Sequence, residues 1–579
     1  MKSNAFKRLF GYFKRYKIRL TLIFIASIIS TFFMILAPTV TGMVTSELYE
    51  GVATGVFNWE TIGLLLGGLV MIYLISQLFS FLQNLSMTKV MAETMKNLRS
   101  DIDKKMHRAK LNYFDTRTNG EILSTITNDV DTINNALGQN LTQIVTQIIT
   151  AIGILIMMLR INPWLALIAV LMVPISLSAA MGVMKSSKKH FAAQQEYLGK
   201  LNGYVEEMYN GQALVQTYNY KDRAKAEFAR INDSLQYSAQ RASIASSSIT
   251  PITGLVNNLG YAVSAVLGCL FVLKGKMRVG DVQAMLQYTK DFSQPFSSIA
   301  SMAGNFGSAV AAANRIFELL DAEEETPDPE ISQHPEKSVG SVEFRHVSFG
   351  YSADKELMHD VNITVKPGQK VAIVGPTGAG KTTLINLLMR FYEINSGEII
   401  IDGVDIRDMT RHELRDRFGM VLQDTWLFGG TIMDNIRYAE DNMPEKQALA
   451  AAHSASVDGF IRTLPGAYNM VLSHGAENIS QGQRQLITIA RAIASKPEIM
   501  ILDEATSNVD THTEQLIQNA MNELMKGRTS FVIAHRLSTI RDADVILYME
   551  SGDIKEVGNH EVLMKQNGKY AALYNSQFA

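Results

Sequence analysis

Two hydrophobic rhythms divide the chain. Across residues 1–320, apolar residues run together for roughly twenty positions at a time, close to what a helix needs to cross hydrocarbon. Beyond residue 340 they come in strand-length runs, separated by turn residues and by segments with a 3.6-residue period. The first pattern predicts membrane helices over 20–38, 61–81, 144–160, 164–184, 252–273 and 282–302. In the last of these Gln287, Lys290, Asp291 and Gln294 interrupt the apolar run, as in a helix lining a wet cavity or in a soluble helix. The second pattern predicts an α/β domain.

Loop charge orients the spans. Residues 41–60 hold no Lys or Arg and 161–163 form a minimal turn, so both are expected outside. Residues 85–140 and 185–242 are rich in Lys and Arg and are expected inside. The loop carrying Lys274, Lys276 and Arg278 runs against this rule, and the majority decides. Both internal stretches keep helical periodicity, so the membrane helices should continue as arms. An arm of about 25 residues reaches on the order of 37 Å. Each excursion breaks near its middle, at 112–119 (NYFDTRTN) and 210–218 (NGQALVQTY), where a short crossing helix fits. Tips of that kind suit mechanical contact with the second domain. Acidic, proline-bearing residues 321–338 then read as a solvated linker without compact structure. Residues 341–351 alternate like a strand. The expected organisation is an all-α, six-helix membrane domain over 1–320, a linker over 321–340 and an α/β domain over 341–579.

Composition adds limits. The 579 residues exceed what one core holds, and a formal charge of −2 gives no footprint for nucleic acid. A mean hydropathy of +0.05 averages two unlike halves. Cys269 is the sole cysteine, so no intrachain disulfide is possible, and the second domain should face a reducing compartment. The first apolar run follows a basic segment but is too long for a signal peptide and lacks a small-residue cleavage site, so it is expected to stay.

The chemistry centres on VAIVGPTGAGKTT, residues 371–383. A strand enters a loop of Gly375, Pro376, Thr377, Gly378, Ala379 and Gly380, and Lys381, Thr382 and Thr383 open a helix, satisfying G-x-x-x-x-G-K-[ST]. The glycines let backbone N–H groups converge on phosphate oxygens, Lys381 supplies charge and Thr382 can ligate Mg²⁺. Upstream, Tyr351 ends the first predicted strand, where its ring could stack on adenine or simply pack. Gln423 follows an apolar strand and can touch Mg²⁺ and an attacking water. Ser480, Gln481, Gly482 and Gln483 precede a helical run and so present N–H groups to an anion. Residues 499–502 form an apolar strand ending in Asp503 and Glu504, suited to holding the metal through water and to activating water. His535, after FVIA, is placed to reach a γ-phosphate.

Together these motifs resemble the ATP-binding cassette (ABC) family: GPTGAGKT, the glutamine loop at Gln423, SQGQ, ILDE, SNVD ending in Asp510, and AHRLST. The six spans, with YFDTRTNGEILSTITNDVD over 113–131, look like its exporter branch. The resemblance implies a dimer sandwiching two ATP molecules, each between one chain's phosphate loop and the other's signature, Ser480 to Gln483 with Asp510 nearby. It also implies that one internal excursion contacts the partner's ATP domain. Two departures stand out. Gln481 replaces the family's glycine in the signature, and His474 precedes Gly475 where many exporters carry Glu. An intact hydrolytic set beside an altered signature resembles one subunit of heterodimeric exporters, the partner having an intact signature and a degenerate Walker B; a tolerated variant in a homodimer is the alternative. The reading predicts an ATP- and Mg²⁺-dependent half-transporter in the cytoplasmic membrane, exporting hydrophobic or amphipathic compounds of multidrug type. Lipid flipping, an ATP-gated channel and a regulatory membrane ATPase are the competitors. The start of the chain at its first helix argues against a leader-processing peptide exporter.

Overall fold

A computed structural model of the chain describes residues 2–578 except 139, 336, 353, 354, 424, 441, 504–509, 535 and 536. It divides into two compact units, Met1–His107 with Thr118–Ala322, and Arg108–Arg117 with Glu323–Ala579.

The first unit is helical. An amphipathic α1 (Lys2–Phe13) precedes α2 (Lys17–Thr54) and α3 (Trp59–Met106). After α4 (Leu111–Asp115), which belongs to the second unit, come α5 (Asn119–Ser124), a π-type turn at Thr125–Asp129, α6 (Val130–Gly138) and α7 (Asn140–Ile161). Then follow α8 (Pro163–Asn210), α9 (Gln212–Thr217), α10 (Lys221–Leu273), α11 (Val279–Phe292) and α12 (Gln294–Leu320). Five helical stretches among the described residues are long and apolar enough to cross a membrane. Only 11–28 % of their apolar windows is buried, so most of that surface asks for lipid or a partner. Five of the expected spans lie inside α2, α3, α7, α8 and α10, and of these α3, α8 and α10 run on into the expected arms.

The sixth segment departs from an unbroken span. It is split at Ser293 because Pro295, lacking an N–H, starts a new helix rather than continuing one. Its inner face is nonetheless core: Tyr288 is fully buried, donates to the Ile35 carbonyl at 2.5 Å and meets Thr39 Oγ1 at 2.8 Å. Where α11 crosses α2, a Cβ on Gly42 would lie 2.3 Å from the Gly280 carbonyl oxygen, so only glycine allows that approach. The expected external loop at 41–60 also shrinks. Helix α2 runs through Pro38 to Thr54, because proline costs one hydrogen bond that neighbouring helices offset, and only residues 55–58 turn. The turn at 161–163 is as short as expected, with Asn162 capping α8.

The second unit is α/β. Strands β1 (Val342–Phe349), β2 (Met358–Val365), β3 (Lys370–Val374), β4 (Ser396–Ile401), β5 (Val404–Asp405) and β6 (Phe418–Val421) are followed by β7 (Gly430–Thr431) and β8 (Val471–Leu472). The last four are β9 (Ile499–Asp503), β10 (Thr529–Ile533), β11 (Val545–Glu550) and β12 (Asp553–Gly558). An antiparallel sheet has the order β2-β1-β4-β5, and a six-stranded sheet the order β12-β11-β3-β10-β9-β6. In the latter β11, β3, β10, β9 and β6 are parallel, and their near-continuous Val/Ile/Leu runs reflect burial on both faces.

Among its described residues the linker has no helix or strand of its own, yet it is not merely solvated. Arg411 donates to the Thr326 carbonyl and to Asp328, each at 2.6 Å, while Glu413 accepts from Ser332. A buried guanidinium with several acceptors explains why an acidic, proline-bearing stretch is held.

Candidate nucleotide site

Strand β3 is buried between β10 and β11 and delivers the chain into the glycine loop. Gly375 takes φ +152°, and a Cβ there would meet the Met549 carbonyl oxygen at 2.1 Å. Gly378 (φ +80°) and Gly380 (φ +96°) occupy the left-handed region, so the loop curls back before the helix Lys381–Leu388. Gly552 N–H donates to the Ala379 carbonyl at 2.9 Å and pins the curl from outside. Pro376, Thr377 and Gly378 are exposed, as is Thr382. Lys381 Nζ donates to the carbonyls of Gly375 (2.8 Å) and Pro376 (3.2 Å), which aims the ammonium across the loop's concavity. Burial pulls its pKa below the ordinary lysine range, against the Asp503 carboxylate, which favours the charged form.

Asp503 ends β9, two strands from β3. Gln423 lies two residues beyond β6, the neighbour of β9 on its far side, and is exposed. Both therefore leave the same carboxyl edge of the parallel sheet, where open α/β sheets bind ligands. One carboxylate, one hydroxyl (Thr382) and one amide form a sparse oxygen set. Among the described residues no cluster of three or more His, Cys, Asp or Glu could cage a metal alone. That set fits Mg²⁺, which takes one or two carboxylates and completes its shell with water and substrate phosphates.

Tyr351 lies two residues past β1 rather than at its end. Its hydroxyl meets Thr383 Oγ1 at 2.9 Å, and its half-exposed ring stands edge-on to Phe349 and to Tyr392, with centroids 5.0 and 5.1 Å away. The hydroxyl contact ties the ring to the helix that follows the loop. Ser480 and Gln483 form a reciprocal capping box on the helix Gln481–Ala494: Gln483 N–H donates to Ser480 Oγ at 3.3 Å, and Ser480 N–H to Gln483 Oε1 at 2.9 Å. Gln481 is exposed with helical backbone, so its side chain costs no local strain, and Gly482 is buried. Asp510 caps the helix Thr511–Met525, and the Thr513 N–H holds its carboxyl below the usual range. Glu504, His535 and residues 507–509 lie outside the described residues.

The sequence reading missed Tyr392. Its hydroxyl donates to Asp115 of α4, and the burial and the carboxylate push it well above the ordinary tyrosine pKa. Tyr392 sits in FYEINSG, which carries no periodic or motif signal; only tertiary contact reveals it.

Comparison with known proteins places these features in context. Residues 20–296 match the model of the ABC transporter transmembrane region, and residues 358–507 that of the ABC transporter domain. A fatty acid ABC transporter ATP-binding/permease protein of Mycobacterium tuberculosis is 46% identical, over 86% of this chain and 79% of its own. An uncharacterized ABC transporter ATP-binding protein of Bacillus subtilis is 39% identical over 100% of this chain and 94% of its own. An ATP-dependent lipid A-core flippase of Syntrophus aciditrophicus is 32% identical, over 88% and 85%. The solved structure of a bacterial Atm1-family ABC exporter with ATP bound superposes with a TM-score of 0.74 at 27% identity, covering 98% of both chains.

Proposed function

The chain belongs to the ABC transporter family, and on that premise we propose that it moves amphipathic lipids of the fatty-acid or lipid-flippase type. It is a multi-pass membrane exporter whose cytoplasmic ATP-binding domain is an ATPase coupled to transport, working as a dimer in the bilayer. The carrying observation for the substrate class is a cavity of about 520 Å³ in the membrane unit, lined by Ser30, Thr31, Ser76, Gln77, Gln83 and Asn84 with methionines. An uncharged, hydrogen-bonding wall inside an apolar bundle suits molecules with a polar end and an apolar remainder, and the named activities of two relatives point the same way. Multidrug export is the broader reading of the same wall.

In this proposal residues 375–380 and Lys381 hold the phosphates, Tyr351 the adenine, and Thr382, Asp503 and Gln423 the Mg²⁺, which supplies charge neutralisation on the phosphates. Glu504 orients and deprotonates the attacking water, and His535 contacts the γ-phosphate. Ser480 to Gln483, with Asp510, cover the partner's phosphate loop. A second reading concerns that partner. Gln481 projects from the first turn of the signature helix, where close backbone approach to phosphate matters, and this favours a different chain with an intact signature. Purification of this chain alone as a dimer with full lipid-stimulated ATPase would reject it.

The test of the main reading is ATP-driven movement of a spin-labelled fatty acid or phospholipid in proteoliposomes. Glu504→Gln should cut turnover roughly 10²–10⁴-fold, the scale of general-base removal, and stop movement while ATP still binds. ATP turnover without movement of any lipid probe would overturn the substrate class; near-normal turnover in the variant would overturn the role of Glu504.

A further inference from the structure

Beside α10 and α11 lies a second cavity, of about 400 Å³, with a different chemistry. It is lined by Asn257, Asn258 and Tyr261 from α10 and by Gln283, Gln287 and Lys290 from α11, with Leu286. Positions 283, 287 and 290 share one face of α11 by helical spacing, while Ala284, Met285 and Tyr288 form the buried face. The segment falls within the matched transmembrane region, where an ammonium is costly unless it faces a polar cavity or a counter-charge.

Among the described residues Lys290 is the only charged one lining this cavity. Its neighbour Asp291 lines a separate cavity with Tyr288 and Thr31, and Gln287 Nε2 donates to Asp291 at 2.9 Å. Among the described residues no salt bridge ties Lys290 to a carboxylate, although the charge of Asp291 attracts it at longer range. Two of the cavity's amides have already committed their oxygens. Asn257 Oδ1 accepts from Ser293 at 3.0 Å, and Gln283 Oε1 accepts from Thr45 at 3.0 Å. Each keeps both N–H donors and one lone pair on its oxygen, so donors are in excess. Gln287 has spent one of its two N–H donors on Asp291 and keeps the other and its oxygen. The balance of the wall is one cation with amide donors.

We propose that this cavity binds the anionic head of an amphipathic substrate, a carboxylate or a phosphate, with Lys290 as counter-ion and Asn257 and Gln283 as N–H donors. The inference rests on the lipid-transport reading and narrows it to anionic lipids. Charge-assisted hydrogen bonds in a partly desolvated site are strong enough to set selectivity between an anion and its neutral analogue.

The test uses the full chain in detergent and equilibrium binding of three probes: oleate, phosphatidylglycerol and oleyl alcohol. Lys290→Met should weaken oleate or phosphatidylglycerol about tenfold or more, leave oleyl alcohol unchanged, and Lys290→Arg should restore the anion. Asn258→Asp, which keeps Lys290 but adds a negative charge to the wall, should weaken the same anion. The probe that responds identifies the source, free fatty acid or phospholipid headgroup. Anion binding that is indifferent to Lys290→Met and Asn258→Asp overturns the site while leaving lipid transport standing. Failure of all three probes to bind overturns both.

Discussion

The two cytoplasmic excursions carry the same sequence signal and end differently. The first tip, α4, is folded into the ATP-binding unit. Ala109 bridges to Glu324, Lys110 N–H donates to the Glu323 carbonyl at 3.1 Å, Glu325 N–H donates to the Arg108 carbonyl at 2.8 Å, and Asp115 accepts from Tyr392. The second tip, α9, stays with the membrane unit. Its arms are braced where Tyr204 donates to the Ala224 carbonyl, but Tyr209, Leu214 and Tyr218 are 81, 64 and 77% exposed. A helix break shows where a tip forms; it does not show what the tip touches. One tip finds its cover inside the chain. The other presents large apolar side chains that ask for cover from outside.

The comparison breaks most easily at the second tip. Charging it with Leu214→Asp and Tyr218→Asp should lower lipid moved per ATP hydrolysed by roughly tenfold or more, since exposed apolar anchors dominate such contacts. ATP binding should persist, because no residue of the phosphate site changes. A transport-to-ATPase ratio equal to that of the unmodified protein would show that α9 carries no coupling.

Next in size is the nucleotide side of the first tip. Tyr351 stands edge-on to Tyr392, so the proposed adenine stacking and the tip contact would fall on adjacent rings. Tyr351→Ala should weaken ATP by about 1–2 kcal/mol, whereas Tyr351→Trp should be tolerated. Equal loss in both, measured with labelled ATP, would make the ring a packing element alone.

The contrast between the tips also marks what the sequence makes legible. Spans, phosphate loop, parallel-sheet motifs and both breaks follow from periodicity and short motifs, because each depends on residues close in the chain. The Ser293 break, the Arg411 clamp on the linker and the Tyr392–Asp115 contact do not. Residues 115 and 392 are far apart in sequence, and an exposed-looking tyrosine or a polar linker gives no hint of the acceptor that folding supplies. The role of Lys290 falls between: its polarity was legible, while the separation of Lys290 and Asp291 into different cavities was not.

Tyr392→Phe probes the first tip with a single atom. It deletes the hydroxyl bonded to Asp115 and keeps the ring beside Tyr351. One such bond contributes about 0.5–1.5 kcal/mol net, so coupling should fall by a few-fold and nucleotide affinity hardly at all. Transport per ATP equal to that of the unmodified protein would limit the first tip's attachment to its backbone pairing with 323–325.

The smallest effect concerns the strap that supplies that backbone pairing. Glu413 accepts from the Ser332 and Thr410 hydroxyls, which push its pKa down to about 2, with His334 adding attraction when charged. A carboxylate depressed on folding stabilises above its unfolded pKa, about 4.3, and loses that contribution as pH falls through the folded value. The strap should therefore hold fully at neutral pH and loosen between about pH 4.5 and 2. Pepsin cleavage within 321–340 should rise over that window relative to cuts elsewhere in the ATP-binding unit. In Glu413→Gln the strap should be cut more readily at the upper end of the window, and the difference between the two proteins should shrink toward pH 2. No difference between the two proteins anywhere in the window would mean that Ser332 and its neighbours are held by Arg411 and Asp408 without help from Glu413, and the first tip's anchor would be independent of that carboxylate.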